Sequence, residues 1–161
     1  MSGVIAYLGL GSNLGDPIWH VTEAVAELAT PPEVTHSRCS PFYRSAPVGP
    51  EGQQDYINAV LEIETTLESI ALLDWCQEIE NRHGRERHER WGSRTLDVDL
   101  LLYGDHVIKH ERLIVPHAEM HWRAFVLRPL ADLNADIALP GFGLVSELLS
   151  EISEAGQHRL N

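Results

Sequence analysis

Lysine is almost absent from this chain of 161 residues, whose 12 basic residues include a single lysine, Lys109. A phosphate-binding loop of the GxxxxGK(S/T) type requires a lysine after its second glycine, and none is available. Cysteine is scarce as well: Cys39 and Cys76 lie far apart, and no CxxC pair offers a metal or redox site. These absences exclude that type of nucleotide loop and favour a reducing cytoplasm.

Long hydrophobic runs are also missing. No apolar stretch approaches the ~18 residues that span a bilayer, and the N-terminus lacks the basic flank and small-residue cleavage site of a signal peptide. The 12 basic against 24 acidic residues give a net charge of −12. Such a field repels DNA, RNA and anionic membranes. We therefore expect a cytoplasmic protein that binds neither nucleic acid nor membrane.

Hydrophobic periodicity predicts alternating strands and helices in one domain over residues 1–161. The predicted elements are a strand over 4–10, a helix from the Asp16 cap and Pro17 to the Pro31–Pro32 stop, a strand over 35–43, a strand with one wetter face over 56–66, a helix over 68–82 capped by Gly84, a strand over 95–103, a strand pair over 107–115, a helix over 123–133 and a short helix over 144–152. This order predicts an α+β, ferredoxin-like sandwich: a mainly antiparallel sheet with helices on one face.

Two carboxylates stand out in the strand over 95–103. Alternation places Asp97 and Asp99 on one face. The opposite face consists of apolar residues: Leu96, Val98, Leu100 and Leu102. Charges beside a core are costly unless they are paired, and Mg²⁺ typically binds one or two carboxylates together with substrate phosphates. The pair therefore favours a Mg²⁺ site, with structural salt bridges to arginines as the alternative.

Just before this strand lies a basic segment over 82–94, with a charge of +3 in an otherwise acidic chain. Its arginines are Arg82, Arg85, Arg87, Arg90 and Arg94. The planar fork of arginine suits bidentate binding of phosphate, so the segment predicts a site for a small polyanion. A solvated loop whose charges offset nearby acids is the alternative. Together with the carboxylates, the segment favours nucleotide polyphosphate chemistry.

Two weaker patterns have other interpretations. The glycines over 9–15 fit neither GxGxxG nor GxxxxGK(S/T), so a tight turn is expected there. His117 and His121 have helical spacing but lack the HExxH pattern, which disfavours zinc. Each aromatic residue taken singly is more readily a core residue than a ligand contact.

The string over 85–101, R-x-R-x-x-R-W-G-S-R-T-x-D-x-D-L-L, strongly resembles the hydroxymethyldihydropterin pyrophosphokinases of folate biosynthesis. The likeness continues through residues 11–15, 42–45, 49–50, 56–58, 115–117 and 123–127, and it covers about 4–150. It implies a ferredoxin-like fold and transfer of diphosphate from MgATP to the hydroxymethyl group of 6-hydroxymethyl-7,8-dihydropterin, with release of AMP. It leaves no room for a fused aldolase or pteroate synthase domain, and we expect a monomer whose partners are ATP and the dihydropterin.

The resemblance also implies roles by position. Asp97 and Asp99 would bind two Mg²⁺ ions that bridge the triphosphate, and Asp97 would orient the pterin hydroxyl. The implied phosphate contacts are Arg85, Arg87, Arg90, Arg94, His117 and Arg123, of which Arg85, Arg90 and Arg94 would be catalytic. The residues implied to line the nucleotide side are Gln77, Glu80, Leu100 and Arg112. The implied pterin contacts are the stacking pair Tyr56 and Phe125, then Asn58, Asp97, the backbone near Ser45, Ala46 and Val48, and Trp91 on loop closure.

The sequence departs from the family pattern at three positions. Ser45 and Ala46 stand where Thr-Pro is usual, and Ser93 replaces the proline of Trp-Gly-Pro-Arg, so we expect less rigid loops there. None of the three removes an implied metal ligand or phosphate-binding arginine. Two other hypotheses are a ligand-binding relative without turnover and a metal-dependent phosphohydrolase.

Overall fold

The computed structural model describes residues 3–46, 52–84 and 95–160. Its helices are α1 (Pro17–Leu28), α2 (Ser69–Arg82), α3 (Ala124–Leu133) and α4 (Val145–Ser150), with a 3₁₀ turn at Met120–Trp122. Its strands are β1 (Val4–Ser12), β2 (Val34–Cys39), β3 (Tyr43–Ser45), β4 (Tyr56–Thr65), β5 (Asp97–Tyr103), β6 (Ile108–Lys109), β7 (Ile114–Val115), β8 (Ala138–Leu139), β9 (Gly143–Leu144) and β10 (Gln157–Arg159). No helix within these three ranges is long and apolar enough to cross a membrane.

Six strands form one sheet in the order β10-β3-β4-β1-β5, and β2 also pairs with β4. Every pairing described within this sheet is antiparallel. The pairs β6–β7 and β8–β9 form two small separate sheets. The predicted α+β fold with a mainly antiparallel sheet is confirmed.

Helices cover both faces of the sheet, so the prediction of one covered face was wrong. α1 and α2 pack on the face that carries Leu8 and Leu61. α3 and α4 pack on the opposite face, which carries Tyr7 and Val60. The wetter face predicted for β4 is dry at its centre, because Val60 is fully buried in the same cluster as Leu127 of α3. We call this side of the sheet the α3 face.

The predicted start of α1 and the predicted end of α2 are confirmed. Asp16 Oδ1 accepts the N–H of Trp19 at 3.1 Å, and Pro17 is the first residue of α1. α2 ends with His83 as its C-cap. Gly84 follows with φ of +69°, in the left-handed region that favours glycine.

Two strand limits differ from the prediction. β1 continues to Ser12, so Gly9 and Gly11 lie in a strand rather than in a tight turn, because β4 and β5 pair with them on either side. Residues 35–43 form two strands instead of one. The ladder is interrupted ahead of Pro41, where Ser40 Oγ accepts the N–H of Val60 at 2.9 Å. Proline has no N–H to continue it.

Leu102 lies on the opposite face from the one predicted. Leu8 pairs with Leu100 and Tyr7 pairs with Leu102, so Leu101 is an extra residue on β5 and forms a bulge. Leu101 and Leu102 both pack in the cluster of the α3 face. Asp97 and Asp99 precede the bulge, so they share one face of the strand as predicted.

Candidate functional site

One row of residues crosses three strands on the α3 face of the sheet. Gly11 of β1 pairs with Asn58 of β4 on one side and with Asp97 of β5 on the other. A Cβ atom on Gly11 would lie 3.1 Å from Asn58 Oδ1. The missing side chain therefore lets the Asn58 amide extend over β1, in the row that ends at Asp97.

The predicted carboxylate pair occupies the edge strand β5. Asp97 is half-buried and Asp99 is exposed. The N–H of Val98, between them, donates to Glu80 Oε2 at 2.9 Å. Glu80 is a buried residue of α2, only 5% exposed. A side chain from the helix thus holds the backbone that presents both carboxylates.

A buried thiol lies near these acids. Burial raises the pKa of Cys76, and the negative charges of Glu80 and Asp99 raise it further. Cys76 therefore remains a neutral thiol at physiological pH and adds no charge to the site.

Four of the predicted pterin contacts lie together at the Asn58 end of the row. Asn58 is buried, and its Nδ2 donates to Ser45 Oγ at 2.8 Å. Ser45 ends β3 and pairs with Tyr56, the half-buried first residue of β4. Ala46 follows Ser45 and is exposed. A fixed polar amide therefore stands beside an aromatic ring at this end of the sheet.

The residues predicted for the nucleotide side meet at α2. Arg112 Nη2 donates to Asp74 Oδ1 at 2.5 Å and to Gln77 Oε1 at 3.3 Å. Leu100 is buried in the cluster that β5 shares with α2. The structure therefore brings Gln77 and Arg112 together, while Glu80 contacts the β5 backbone.

Arg123 and Phe125 lie where the 3₁₀ turn meets α3. The Arg123 guanidinium is 5.5 Å from the centroid of the Phe125 ring and 5.2 Å from that of Trp122, in cation–π geometry. Phe125 is 37% exposed, so its ring is available to a ligand. The backbone N–H of His117 donates to the carbonyl of Leu101 at 3.0 Å, which fixes His117 beside β5.

The donor set suits Mg²⁺ better than zinc. Within residues 3–46, 52–84 and 95–160, no group of three or more His, Cys, Asp or Glu side chains is placed to hold a metal ion. Mg²⁺ needs no such group, because substrate phosphates and water complete its coordination. Zinc takes three or four protein ligands. His117 Nδ1 instead accepts the N–H of Glu119, and His121 stacks on Phe142.

Six predicted site residues lie outside the described residues: Val48, Arg85, Arg87, Arg90, Trp91 and Arg94. The described residues on either side of 85–94 lie close to each other. Thr95 Oγ1 donates to the carbonyl of Gly84 at 3.4 Å, and Ser12 Oγ donates to the carbonyl of Thr95 at 2.5 Å. Gly84 and Thr95 therefore lie together beside the end of β1.

Two features of the site were not predicted from the sequence. Gly11 was assigned to a turn, although two glycines two positions apart in a strand share a face and can mark a place where another group approaches. The Glu80 contact with the Val98 N–H has no signal in the sequence, because it joins residues from different elements.

Comparison with known proteins gives matches to one family. A family model described as 7,8-dihydro-6-hydroxymethylpterin-pyrophosphokinase (HPPK) matches residues 7–135. The 2-amino-4-hydroxy-6-hydroxymethyldihydropteridine pyrophosphokinase of Haemophilus influenzae is 44% identical over 161 residues, covering 98% of this chain and 99% of that protein. The protein of the same name from Pseudomonas aeruginosa is 44% identical over 154 residues, covering 96% and 95%.

Solved structures share the fold. A crystal structure of HPPK-DHPS in complex with substrates superposes with a TM-score of 0.75 at 10% identity, covering 99% of this chain and 47% of that one. The structure of Plasmodium falciparum HPPK-DHPS with pteroate superposes with a TM-score of 0.73 at 12% identity, covering 94% of this chain and 43% of that one. This chain thus spans less than half the length of these solved chains, and the likeness to them concerns the fold alone. The match to the family model and the identity with the bacterial relatives show that this chain belongs to the 7,8-dihydro-6-hydroxymethylpterin-pyrophosphokinase family.

Proposed function

We propose that this chain transfers diphosphate from ATP to the hydroxymethyl group of 6-hydroxymethyl-7,8-dihydropterin, giving AMP and the pterin diphosphate in tetrahydrofolate biosynthesis. The row Asn58–Gly11–Asp97 carries this proposal. It places a fixed amide, which can recognise a heterocycle, in one row with a carboxylate that can hold a metal. The names of the bacterial relatives support the same reaction.

In this proposal the residues on the ATP side mainly neutralise the charge of the triphosphate. Phosphoryl transfer depends on positioning and electrostatics more than on covalent chemistry. We assign Asp97 and Asp99 to the binding of two Mg²⁺ ions, which would neutralise the charge of the triphosphate when bound. Gln77, Glu80, Leu100 and Arg112 line the nucleotide side in this proposal. The phosphate contacts are Arg85, Arg87, Arg90, Arg94, His117 and Arg123.

The pterin side is assigned to stacking and hydrogen bonding. Tyr56 and Phe125 would stack on the two faces of the ring system, with Trp91 covering it. Asn58 would bind the ring edge, beside the backbone of Ser45, Ala46 and Val48. Asp97 would orient the hydroxyl for in-line attack on the β-phosphorus, with AMP as leaving group.

We also propose that residues 1–161 act as one domain and as a cytoplasmic monomer. The net charge of −12 supports the monomer, because like charge opposes self-association. Sedimentation equilibrium should give a single species near the chain mass of 18.0 kDa. A dimer that persists on dilution would contradict this assignment.

The decisive experiment is an assay of AMP release with MgATP in the presence and absence of the dihydropterin. We expect AMP and pterin diphosphate in equal amounts, and no AMP without the pterin. AMP release that ignores the pterin would instead indicate a phosphohydrolase. Saturable binding of both ligands without product would indicate a relative that binds without turnover.

Substitution of the stacking rings should affect one substrate only. In Tyr56→Ala and Phe125→Ala we expect pterin affinity to fall roughly 10-fold, since each variant loses apolar contact on one ring face, worth about 0.5–1.5 kcal/mol beyond its buried area. Affinity for an ATP analogue should remain as in the wild type. Titration calorimetry of each ligand measures both constants.

Phe142→Ala is the matched control, because Phe142 is an exposed ring, 44% accessible, that stacks on His121. It should leave pterin affinity unchanged. If Tyr56→Ala or Phe125→Ala lowered the affinity for both ligands equally, the substituted ring would instead have a role in packing the core.

A further inference from the structure

Two histidines and a glutamate tie the last turn of α2 to α1, and the proposed reaction uses none of them. His83 Nε2 lies 2.6 Å from Glu27 Oε1, and His83 Nδ1 lies 2.6 Å from His20 Nδ1. The His83 side chain is only 4% exposed. Together with Trp19, Glu23 and Arg82, the three residues line a cavity of about 320 Å³. We call His20, His83 and Glu27 the histidine array.

The two short contacts restrict where protons can be. His83 Nε2–H donates to the Glu27 carboxylate, so in the neutral pair His83 Nδ1 accepts the Nδ1–H of His20. One added proton is accommodated: His83 then donates from both nitrogens, and His20 accepts at Nδ1 with its own proton on Nε2. A second added proton places two N–H groups face to face. The contact between the rings must then break.

The array is connected to the carboxylate pair through α2. His83 is the C-cap of this helix, and its backbone N–H donates to the carbonyls of Ile79 and Glu80. Glu80 in turn accepts the N–H of Val98 at 2.9 Å, between Asp97 and Asp99. A shift of the last turn of α2 therefore reaches the backbone that presents both carboxylates.

We propose that the histidine array is a positioning device: it holds the end of α2, and through Glu80 the carboxylate strand, and it releases them when it takes up a second proton. The effect on turnover rests on the proposed function, whereas the proton coupling and its effect on Val98 do not. His20, His83 and Glu27 are positioning residues and touch no substrate.

Among the described residues, the charged groups that face the two rings come from α1, its cap and α2: Asp16, Glu23, Glu27 and Arg82. Arg82 Nη1 lies 3.8 Å from Glu27 Oε2, and Arg82 also pairs with Glu78. Burial and then His83 lower the pKa of His20, while Asp16 raises it. Because the folded state disfavours this protonation, the stability due to His20 is complete above about pH 6.5 and is lost as the pH falls toward the folded-state pKa.

The first test follows ring nitrogens and backbone amides by NMR as the pH is lowered, in the whole chain without ligands. We expect the rings of His20 and His83 to report the same two protonation steps, as coupled sites do. The Val98 amide shift should follow the second step. In His20→Gln, which removes one of the two rings, the Val98 shift should stay flat over this range.

The second test compares pH profiles of kcat/KM for ATP. As the pH falls below about 6.5 the wild type should lose activity more steeply than His20→Gln, and the difference should reach about tenfold one pH unit below the pKa of the second step. Protonation of ATP itself affects both proteins equally. His36→Gln is the matched control. His36 lies on β2, with its Nε2 3.8 Å from Oε1 of Glu62 on β4, and this variant should keep the wild-type profile.

Two results would overturn the proposal. Independent single-step titration of the two rings would show that no proton is shared between them. A Val98 amide that ignores the second step would show that the array does not reach the carboxylate strand. Failure of the proposed reaction would appear separately, as a wild type that titrates as expected but forms no AMP.

Discussion

Alanine at Asp97 or at Asp99 is expected to lower AMP formation by more than the ~10²- to 10³-fold loss typical of one electrostatic donor. Under the proposed metal assignment, each variant removes a metal ligand and leaves the triphosphate charge facing the remaining carboxylate. The fold should be retained, since Asp97 is half-buried and Asp99 exposed on an edge strand. Single-turnover AMP formation at saturating Mg²⁺ measures the loss, and thermal unfolding confirms the fold.

Asp105→Ala provides the matched control for this loss. Asp105 is an exposed acid in the turn that follows β5, so its removal changes the net charge equally without touching the row. It should keep nearly the full rate. If Asp97→Ala or Asp99→Ala also kept nearly the full rate at saturating Mg²⁺, the metal assignment would be wrong.

Valine at Gly11 should give the second large effect, directed at the pterin. Even the first carbon of a side chain would lie 3.1 Å from Asn58 Oδ1, and the branched valine must displace this amide. Displacement leaves a buried polar group without its native partner, at a cost of about 1–3 kcal/mol, so pterin kcat/KM should fall roughly 10- to 100-fold. Valine favours strands, which keeps β1 intact.

Gly9→Ala distinguishes this effect from a general disturbance of β1. The atoms nearest to its Cβ would belong to the buried side chain of Leu101, at 3.3 Å, so any strain would fall on the core cluster and not on Asn58. We expect KM for the pterin to rise in Gly11→Val alone, with KM for ATP nearly constant in both. A parallel rise of both constants in Gly11→Val would place the damage in the strand rather than at Asn58.

The sequence predicted those parts of the site that depend on local rules. Strand alternation was sufficient to place Asp97 and Asp99 on one face, and helix caps were sufficient to limit α1 and α2 at Asp16 and Gly84. Periodicity failed where a distant element changed the environment. Val60 is buried because α3 covers it. Leu102 lies on the face opposite to the predicted one because Leu101 forms a bulge in the pairing of β5 with β1.

The position of Gly11 in a strand could be predicted only with knowledge of which strands pair with β1. Its pattern alone fits a turn as well as a strand, and only the pairing with β4 and β5 shows why a side chain is excluded there. Glu80 is a similar case: a buried acid in a helix is unfavourable by itself, and the Val98 N–H from another element gives it a partner.

The last strand, β10, has a consequence for the order in which this protein becomes competent during synthesis. β10 pairs with β3, and Gln157 lies opposite Ser45, whose hydroxyl accepts the hydrogen bond from Asn58. Such pairing between distant parts of a chain forms slowly, because a long loop must close first. A nascent chain that already contains the basic segment over 82–94 and both aspartates still lacks the strand that pairs with one edge of β3. We therefore expect the ATP side to mature before the pterin side, which waits for residues 157–159 to emerge from the ribosome.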